Sequence, residues 1–363
     1  MSDFFEIDFL DVESSKSGDA IPLRYRVNEV TTVHIVDGGF QDTGAKVIEH
    51  IKKHYDNASY IDRVVASHPD GDHLGGLRTV LEELDVGELW MLRPWLYADE
   101  IIDRFTRFSS VENLKKRLRE IYPNIVALEE IAEDKGIPIY EPFQGAAIGA
   151  FTVMGPTRAR YLDLIVKSEK TPESVEVAQE SAAAGLGTLL ERAAAKVVGL
   201  VKAAWGVEVF SPEETSAENE MSVVQYANLC GKHILLTGDA GRGALAEAAD
   251  YAPCVGLTLP GIDQFQVPHH GSRRNVSSEI LDRWLGEKLA SNPGEGETKF
   301  LAIVSAAKDD EDHPRKAVVR ACIHRGAEVV STESSGIRTG HNAPNREGWS
   351  AATPLPYPED QEE

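Results

Sequence analysis

The distribution of apolar and polar residues along the chain predicts many short β-strands. Residues 5–12 mostly alternate between the two classes, and a second such stretch follows a polar turn at 19–25, so the opening of the chain predicts a β-hairpin. A third strand, 31–36, runs into Asp37-Gly38-Gly39, where the paired glycines predict a tight turn. Similar patterns predict further strands at 62–67, 88–92, 137–140, 150–154, 223–226, 233–240, 265–267, 300–305 and, as the last of the series, 327–332.

Apolar residues at helical spacing predict helices between these strands. They include a helix that ends near Tyr55, a helix that begins near Leu74 and a helical pattern from 96 to 131. Two more helices are predicted at 241–249 and 315–325. The chain is therefore expected to combine strands and helices throughout its length.

The alanine-rich segment 157–205 is predicted to be a helical insertion. Its apolar stripe comprises Leu186, Leu189, Leu190, Ala193, Val197, Leu200 and Val201. Charged residues interrupt the stripe, so it does not read as a membrane span. Two interpretations stay open, a helical hairpin that packs on the domain and a lid or arm that forms a homodimer, because periodicity does not show what a stripe packs against.

Length and composition are those of a soluble globular protein. Of 363 residues, 42% are hydrophobic and 26% are charged, and we predict one domain over 1–350 with a disordered acidic tail at 351–363. The first residues lack the basic and apolar regions of a signal peptide, so a cytoplasmic location without membrane association is expected. The net charge of −22 would repel a long nucleic acid. It still allows a small phosphodiester substrate.

Four potential metal ligands lie within six positions, at His68, Asp70, Asp72 and His73. A proline and a glycine between them prevent regular structure, so these side chains are predicted to lie on a loop between a buried strand and a helix. A rigid loop of this kind suits a preorganised metal site. The alternative is a polar turn that happens to be rich in Asp and His.

Two later predicted strands end in further candidate ligands. Thr237-Gly238-Asp239 places a carboxylate after a flexible glycine, with a helix N-cap as the alternative interpretation. The strand at 265–267 leads into a proline followed by His269 and His270. Adjacent histidines point in different directions, so one of them should bind metal while the other faces substrate. We favour His269 as the ligand, although neither spacing nor periodicity decides between the two.

Basic and polar residues near these motifs are candidates for substrate binding. Arg273 and Arg274 follow Ser272 directly, and arginine suits phosphate oxygens, although an exposed basic turn would explain the pair equally. Lys308 begins a polar loop that ends at His313. That histidine is interpreted either as a residue that contacts substrate or as the start of a helix.

Taken in order, these motifs resemble the metallo-β-lactamase superfamily, whose signature is His-x-His-x-Asp-His. Asp70 stands where the second histidine usually lies, and this version resembles the nuclease-like domain of the DNA-uptake channel protein ComEC and its soluble relatives. Asn219 stands where the family usually has a third histidine ligand, in an Asn-x-x-Ser context that again resembles ComEC. The Leu-Asp-Val, Gly-Asp-Ala and Asp-Gly-Gly triplets of the opening strands fit the same subgroup.

The resemblance implies an α+β fold, a four-layer αββα sandwich with the ligands on loops along one edge of two sheets. The ligand sets that it implies are Asp72, His73 and His269 for one divalent ion, His68 and Asp70 for the other, and Asp239 as a bridge between both. Asp37 would orient a ligand histidine, and Asn219 would lie near the position of the absent one.

These assignments lead to a functional hypothesis with two divalent ions, zinc or manganese, of which the oxygen-rich His68 and Asp70 set favours manganese. A metal-activated hydroxide oriented by Asp70 or Asp72 would attack, while Arg273, Arg274 or Lys308 would offset the charge that builds on phosphorus. The hypothesis is a phosphodiesterase or nuclease. A hydrolase of another ester, such as a lactone or thioester, and a binding protein with an eroded metal site remain the alternatives.

Overall fold

The computed structural model describes residues 2–12, 15–171, 199–294 and 296–362. Most of the apolar stripe predicted within 157–205 therefore lies outside the described residues, and the predicted homodimer arm stays a prediction. The described ends of that segment are a helix at Arg158–Lys167 and a strand at Leu200–Lys202. The last two positions of the stripe, Leu200 and Val201, thus belong to a strand rather than to a helix.

Two large sheets and one small sheet contain the strands of the described residues. The strands are β1 Phe4–Phe9, β2 Ala20–Val27, β3 Val30–Gly38, β4 Tyr60–Val65, β5 Asp85–Trp90, β6 Ile139–Tyr140, β7 Ala147–Ile148, β8 Phe151–Gly155, β9 Leu200–Lys202, β10 Val224–Leu229, β11 Lys232–Leu236, β12 Gln264–Gln266, β13 Phe300–Val304, β14 Ala327–Ser331, β15 Ile337–His341 and β16 Asp360–Glu362. The first sheet has the order β15-β1-β2-β3-β4-β5-β6, the second β14-β13-β12-β11-β10-β8-β7, and β16 pairs with β9.

Helices cover the outer faces of the two large sheets. The α-helices are α1 Thr43–His54, α2 Gly71–Leu74, α3 Leu77–Glu83, α4 Ala98–Ile101, α5 Val111–Ile121, α6 Pro123–Lys135, α7 Arg158–Lys167, α8 Ala217–Glu220, α9 Arg242–Tyr251, α10 Ser278–Leu285 and α11 Lys316–His324. The helical pattern predicted from 96 to 131 is divided, because Pro123 begins α6 directly after α5. None of the helices in the described ranges is long and apolar enough to cross a membrane.

The alternation of side chains along the strands of the second sheet builds two cores. On β13, Ile303 packs in the core that continues between the sheets, whereas its neighbours Ala302 and Val304 pack beneath α9, α10 and α11 with Trp284. Successive strand residues point to opposite faces, so a strand that is buried on both faces reads as a continuous apolar run. The predicted four-layer αββα sandwich is confirmed.

The C-terminal part of the chain is ordered where disorder was predicted. The strand at 327–332 is not the last one, because β15 pairs antiparallel with β1 along the edge of the first sheet. In the predicted tail, β16 pairs with β9, and the Glu362 carboxylate accepts hydrogen bonds from the backbone N–H groups of Lys316 at 2.9 Å and Ala317 at 3.0 Å. A carboxylate at these first N–H groups of α11 satisfies donors that have no partner within the helix. An acidic composition alone did not reveal this helix cap.

Parallel pairing within each sheet brings the functional loops to one edge. β3 and β4 are parallel, and so are β11, β12 and β13. The carboxyl ends of parallel strands meet at the same edge, so the residues that follow each of these strands lie close together. Glycines permit the close packing there: a Cβ on Gly18 would lie 2.5 Å from the carbonyl oxygen of Asp72, and one on Gly76 would lie 2.0 Å from that of Gly38.

Candidate metal centre

Asp239 lies at the centre of the candidate site, directly beyond the end of β11. Its side chain is buried, and its backbone N–H donates to Ser222 Oγ at 3.1 Å. The preceding Gly238 has a φ of +50°, a left-handed conformation that glycine adopts without steric penalty. The two carboxylate oxygens of Asp239 face different groups of imidazoles, as a carboxylate that bridges two ions would.

The first group lies on the Oδ1 side of Asp239. His73 Nε2 is 3.1 Å and His270 Nε2 is 3.9 Å from Oδ1. Asp72 completes this group, because its Oδ2 lies 3.6 Å from His270 Nε2 and 4.0 Å from His73 Nε2. We call Asp72, His73 and His270 the inner cluster.

The second group lies on the Oδ2 side. Both His68 Nε2 and His269 Nε2 are 3.6 Å from Asp239 Oδ2. Asp70 Oδ2 lies 3.8 Å from His68 Nε2, while Asp70 Oδ1 pairs with the Lys170 ammonium at 2.9 Å. We call His68, Asp70 and His269 the outer cluster, because Asp70 and His269 are partly exposed.

This arrangement corrects the predicted roles of the two adjacent histidines. His270, not His269, lies with Asp72 and His73, and it is buried rather than placed to face substrate. Both residues have left-handed backbone conformations, with φ of 48° and 54°, which turn their side chains to different sides of Asp239. Nothing in the sequence signals two successive left-handed histidines, since such conformations are uncommon outside glycine and asparagine.

Hydrogen bonds at Nδ1 leave three of these imidazoles with a lone pair at Nε2. His73 Nδ1–H donates to Asp37 Oδ2 at 2.8 Å, and His270 Nδ1–H donates to the carbonyl oxygen of Ser305 at 2.8 Å. The Ser67 hydroxyl donates to Asp37, so its oxygen accepts from His68 Nδ1–H at 3.0 Å. This is the tautomer that binds metal through Nε2, and Asp37 orients a histidine of the inner cluster as the sequence predicted.

Several buried atoms at the centre have no hydrogen-bond partner among the described residues. They are His68 Nε2, His73 Nε2, His270 Nε2, Asp239 Oδ1 and Asp19 Oδ1. Each unsatisfied buried polar group costs about 1 to 3 kcal/mol, so a fold does not gather several at one point without a ligand. Lone pairs of imidazole and carboxylate that converge in this way fit divalent metal ions.

Comparison with known proteins finds a family match for part of the chain. The family model described as the metallo-beta-lactamase superfamily matches residues 25–137, which include His68, Asp70, Asp72 and His73. The match covers 113 of the 363 residues, so this part of the chain is similar to the metallo-β-lactamase superfamily. No curated protein sequence is significantly similar to the chain. The superfamily is hydrolytic and typically binds two zinc ions.

Several solved structures resemble parts of the chain at low sequence identity. One is AidC, described as a dizinc quorum-quenching lactonase, with 11% identity and a TM-score of 0.29 over 61% of this chain and 56% of AidC. The hydrolase AbOPH has 10% identity and a TM-score of 0.32 over 67% of this chain and 74% of its own. A beta-lactamase domain protein from Burkholderia ambifaria has 14% identity and a TM-score of 0.34 over 76% and 69%.

Neighbouring charges in the candidate site shift the pKa values of several of its residues. Burial disfavours a charge on His270, but Asp239 and Asp72 outweigh it and raise its pKa to about 9. Burial likewise opposes a charge on His73, and Asp239 and Asp37 raise its pKa well above the usual value. Burial also works against the charge of Asp239, yet the surrounding histidines, His269 first, hold the pKa of this carboxyl well below its usual range. Any divalent ion must therefore displace protons from the imidazoles.

We expect zinc binding to release protons at neutral pH and to strengthen as the pH rises. A raised pKa means that His270 keeps its proton below a pH of about 9, so the proton competes with the metal at pH 7 and competes less as the pH approaches that value. Titration calorimetry in buffers of different ionisation enthalpy measures the number of protons released. His313→Ala is the matched control, because burial lowers the pKa of His313 to about 4 and leaves it neutral at pH 7. Binding without proton release at pH 7 would contradict the assignment of His73 and His270 as ligands.

One central residue, Asp19, was not predicted as part of the site. It is buried at the start of β2, accepts a hydrogen bond from Gln266 Nε2 at 2.9 Å and lies 3.7 Å from His73 Nδ1. Burial raises the pKa of this carboxyl. The Gly18-Asp19-Ala20 triplet was the available signal, since its glycine permits the chain to pass directly against Asp72.

The remaining predicted residues lie around the centre with different partners. Asn219 contacts His269, with 2.9 Å between Nδ2 and Nδ1, and His313 Nδ1 lies 3.2 Å from Asp310 Oδ2 with its ring 5.7 Å from that of His269. Lys308 is exposed on the loop before His313. The buried Ser272 hydroxyl accepts from the backbone N–H of Arg274 at 3.4 Å, so it shapes the turn.

Both arginines contact the segment 209–213. Arg273 Nη1 donates to the carbonyl oxygen of Val209 at 3.4 Å, and Arg274 pairs with Glu213 at the surface. The predicted catalytic role of Arg273 and the predicted phosphate contact of Arg274 therefore find no support in these contacts. A different cation, Lys170, lies beside Asp70, and its position in the chain gave no signal of that proximity.

Proposed function

We propose that the chain is a metal-dependent hydrolase that cleaves a small phosphodiester with two divalent ions. The proposal that hydrolysis is metal-dependent rests on Asp239, because each of its two carboxylate oxygens faces a different group of imidazoles. The Lys170 ammonium beside Asp70 supports a substrate that is negatively charged.

Bound divalent ions would acidify the attacking water and draw electrons from the scissile ester. The residues of the chain have separate tasks in this scheme. Asp37 and Ser305 fix the rings of His73 and His270 through their Nδ1–H groups, so the inner cluster does not reorganise during the reaction. The pKa of Asp72 is low, since His270 and His73 outweigh the effect of burial, so Asp72 stays ionised and accepts a hydrogen bond from the attacking water.

The position of Lys170 favours an anionic substrate. Its ammonium is 2.9 Å from Asp70 Oδ1, next to the outer cluster, where it would lie near a bound ion of the same sign. Two cations at short range repel each other unless negative charge lies between or beside them. A phosphodiester oxygen, together with Asp70, would supply that charge, whereas the carbonyl of a neutral lactone or thioester would not.

Lys170 is held in place by residues that are themselves anchored. Its backbone N–H donates to Ser168 Oγ at 3.0 Å, and the buried Ser168 hydroxyl donates to Glu218 on α8. Tyr122 donates to the same carboxylate at 3.1 Å. These hydrogen bonds connect the segment of Lys170 to α8, which also contains Asn219. The same helix therefore helps to position both the lysine and the outer cluster.

The net charge of the chain gives an indication of substrate size. At −22 it repels a long polyanion, which presents many phosphates at once, more than it repels a small diester with one negative charge. A small diester is therefore the better candidate.

Lys170→Ala is expected to lower kcat/KM on bis-p-nitrophenyl phosphate by about tenfold to thirtyfold. A hydrogen bond to a charged group contributes about 1.5 to 3 kcal/mol, and the solvent exposure of the Lys170 side chain reduces this contribution. Hydrolysis of the neutral ester p-nitrophenyl acetate should change little. The kinetic parameters are measured with zinc and with manganese at saturating metal, with bound metal determined for each sample.

Arg274→Ala is the matched control, since it removes one exposed cation that pairs with Glu213 instead of Asp70. Equal losses on the charged and the neutral ester for Lys170→Ala would favour a hydrolase of another ester. The absence of turnover on every ester by metal-loaded wild type would favour a binding protein.

A further inference from the structure

The sequence places Asn219 where the resemblance leads one to expect a histidine ligand, so the ligand set that it implies for the ion of His68 and Asp70 contains one imidazole. We propose that His269 supplies the missing imidazole, so that both adjacent histidines bind metal, each to a different ion. The proposal deepens the proposed function, since it assumes the two-ion site, and it assigns His269 to the ion of His68 and Asp70 instead of the ion of Asp72 and His73 to which the sequence pattern assigned it.

The geometry around Asp239 is the first support. His269 Nε2 and His68 Nε2 lie at the same distance, 3.6 Å, from Asp239 Oδ2. On the opposite side, His73 and His270 face Oδ1. Each carboxylate oxygen therefore faces two imidazoles, and each side has its own aspartate, Asp70 or Asp72.

The tautomer of His269 is the second support. Asn275 is buried, and its amide nitrogen donates to the carbonyl oxygens of Asp239 at 2.7 Å and Ala240 at 3.3 Å. These two acceptors fix the orientation of the Asn275 amide, so its Oδ1 must accept at the 2.8 Å contact with His269 Nδ1. His269 therefore carries its proton on Nδ1 and presents a lone pair at Nε2 toward Asp239 Oδ2, as a metal ligand requires.

The backbone is the third support. His269, His270 and Gly271 are successive left-handed residues, with φ of 48°, 54° and 86°. A left-handed conformation costs a non-glycine residue about 1 to 2 kcal/mol, and such strain persists where function requires it. Here it directs two adjacent rings, with centroids 5.8 Å apart, to opposite oxygens of one carboxylate.

In this assignment Asn219 does not bind the metal but contacts His269 and helps to position its ring. Its side-chain amide lies 2.9 Å from His269 Nδ1 and 2.8 Å from the Ser216 hydroxyl, and because His269 Nδ1 carries a proton, the amide oxygen faces His269 while the amide nitrogen faces Ser216. The position of the absent histidine is thus occupied by a residue that supports a ligand from another loop. The outer cluster gains a second nitrogen ligand, and the expected preference of this cluster moves from manganese toward zinc.

The test measures zinc content in the absence of substrate. Wild type and variants are dialysed to equilibrium against buffered free zinc, and bound zinc is determined by mass spectrometry, with circular dichroism to check the fold. His269→Asn is the main variant, because asparagine tolerates the left-handed conformation. We expect wild type to bind two zinc ions and His269→Asn to bind one tightly, with affinity for the second reduced by about 100-fold.

Two further variants separate a ligand from a structural residue. In His269→Gly, added imidazole should restore the second zinc ion, because glycine also accepts the left-handed backbone and leaves space for the free ring. Asn275→Leu should weaken the second zinc ion by about 10- to 100-fold, since it releases the His269 ring. His313→Ala removes a neighbouring imidazole that contacts Asp310 and should retain both ions.

Two zinc ions bound to His269→Asn with wild-type affinity would overturn the proposal, and so would a wild type that binds only one ion at saturation. Because zinc content is measured without substrate, these outcomes are independent of the phosphodiesterase assay. A wild type with two ions, a His269-dependent second ion and no turnover would leave the ligand assignment intact and overturn the proposed function.

Discussion

Replacing Asp239 with alanine is expected to lower kcat on a phosphodiester by about 1,000-fold or more, a loss of about 4 kcal/mol in transition-state stabilisation. Asp239 has one carboxylate oxygen facing each cluster, with Oδ1 at 3.1 Å from His73 Nε2 and Oδ2 at 3.6 Å from His68 Nε2. Without it, two divalent ions at short range would lose the negative charge between them and repel each other. Steady-state kinetics and metal content on the same samples measure the effect.

The matched control is Asp250→Ala, which makes the same change of charge on α9, where the Asp250 carboxylate is exposed and pairs with Arg283. Its activity and zinc content should equal those of wild type. The Asp239→Ala protein should remain folded, because the Asp239 backbone N–H keeps its hydrogen bond to Ser222. Normal turnover by a folded, metal-loaded Asp239→Ala protein would be incompatible with a two-ion site.

The second large effect is expected from Asp37→Asn, a substitution that preserves shape and changes only hydrogen-bonding capacity. Asp37 Oδ1 accepts from the backbone N–H of Ser67 at 2.8 Å, and Oδ2 accepts from the Ser67 hydroxyl at 2.5 Å and from His73 Nδ1–H at 2.8 Å. If the asparagine oxygen stays with the backbone N–H, its amide nitrogen faces His73 and favours the tautomer protonated at Nε2. That tautomer has no lone pair for metal at Nε2, so zinc affinity at the inner cluster should fall by about 100-fold.

Backbone strain does not complicate this variant, because Asp37 has a φ of 58° and asparagine tolerates that conformation. Asp62→Asn is the matched control on the neighbouring strand β4: the Asp62 carboxylate accepts from the backbone N–H of Val33 at 2.8 Å, a bond that an amide oxygen can also accept. Competition titration with a zinc chelator compares the three proteins. Unchanged zinc affinity in Asp37→Asn would show that His73 is not a ligand through Nε2.

The distribution of charge around the site predicts that metal ions bind before the anionic substrate. The chain carries a net charge of −22, yet a lysine and a dense group of imidazoles surround the central carboxylates. A site of this kind attracts cations first and anions only once cations are bound. We therefore expect that removal of metal abolishes phosphodiester binding together with turnover.

Local sequence was sufficient to predict most of the strands and most of the His and Asp residues that gather around Asp239. Strands that are buried on both faces, such as β13, appear in the sequence as apolar runs. His and Asp residues that follow a strand, where proline and glycine end it, are seldom needed for packing and therefore indicate a functional site. The same local logic located Asp239 at the end of β11 and Asp37 at the end of β3. The strands and the residues at their ends depend on sequence within a few positions, so the local pattern of apolar and polar residues is enough to predict them.

Tertiary structure alone decided which side chains meet. Lys170 lies 100 positions from Asp70, and the Asn275 amide selects the tautomer of His269 through hydrogen bonds to carbonyls on another loop. The left-handed conformations of His269 and His270 placed His270, instead of His269, beside Asp72 and His73, and Glu362 capped a helix that begins 46 residues earlier. Each of these outcomes depends on the packing of segments that are distant in the chain, and the free energy of that packing is not encoded in the local alternation of apolar and polar residues.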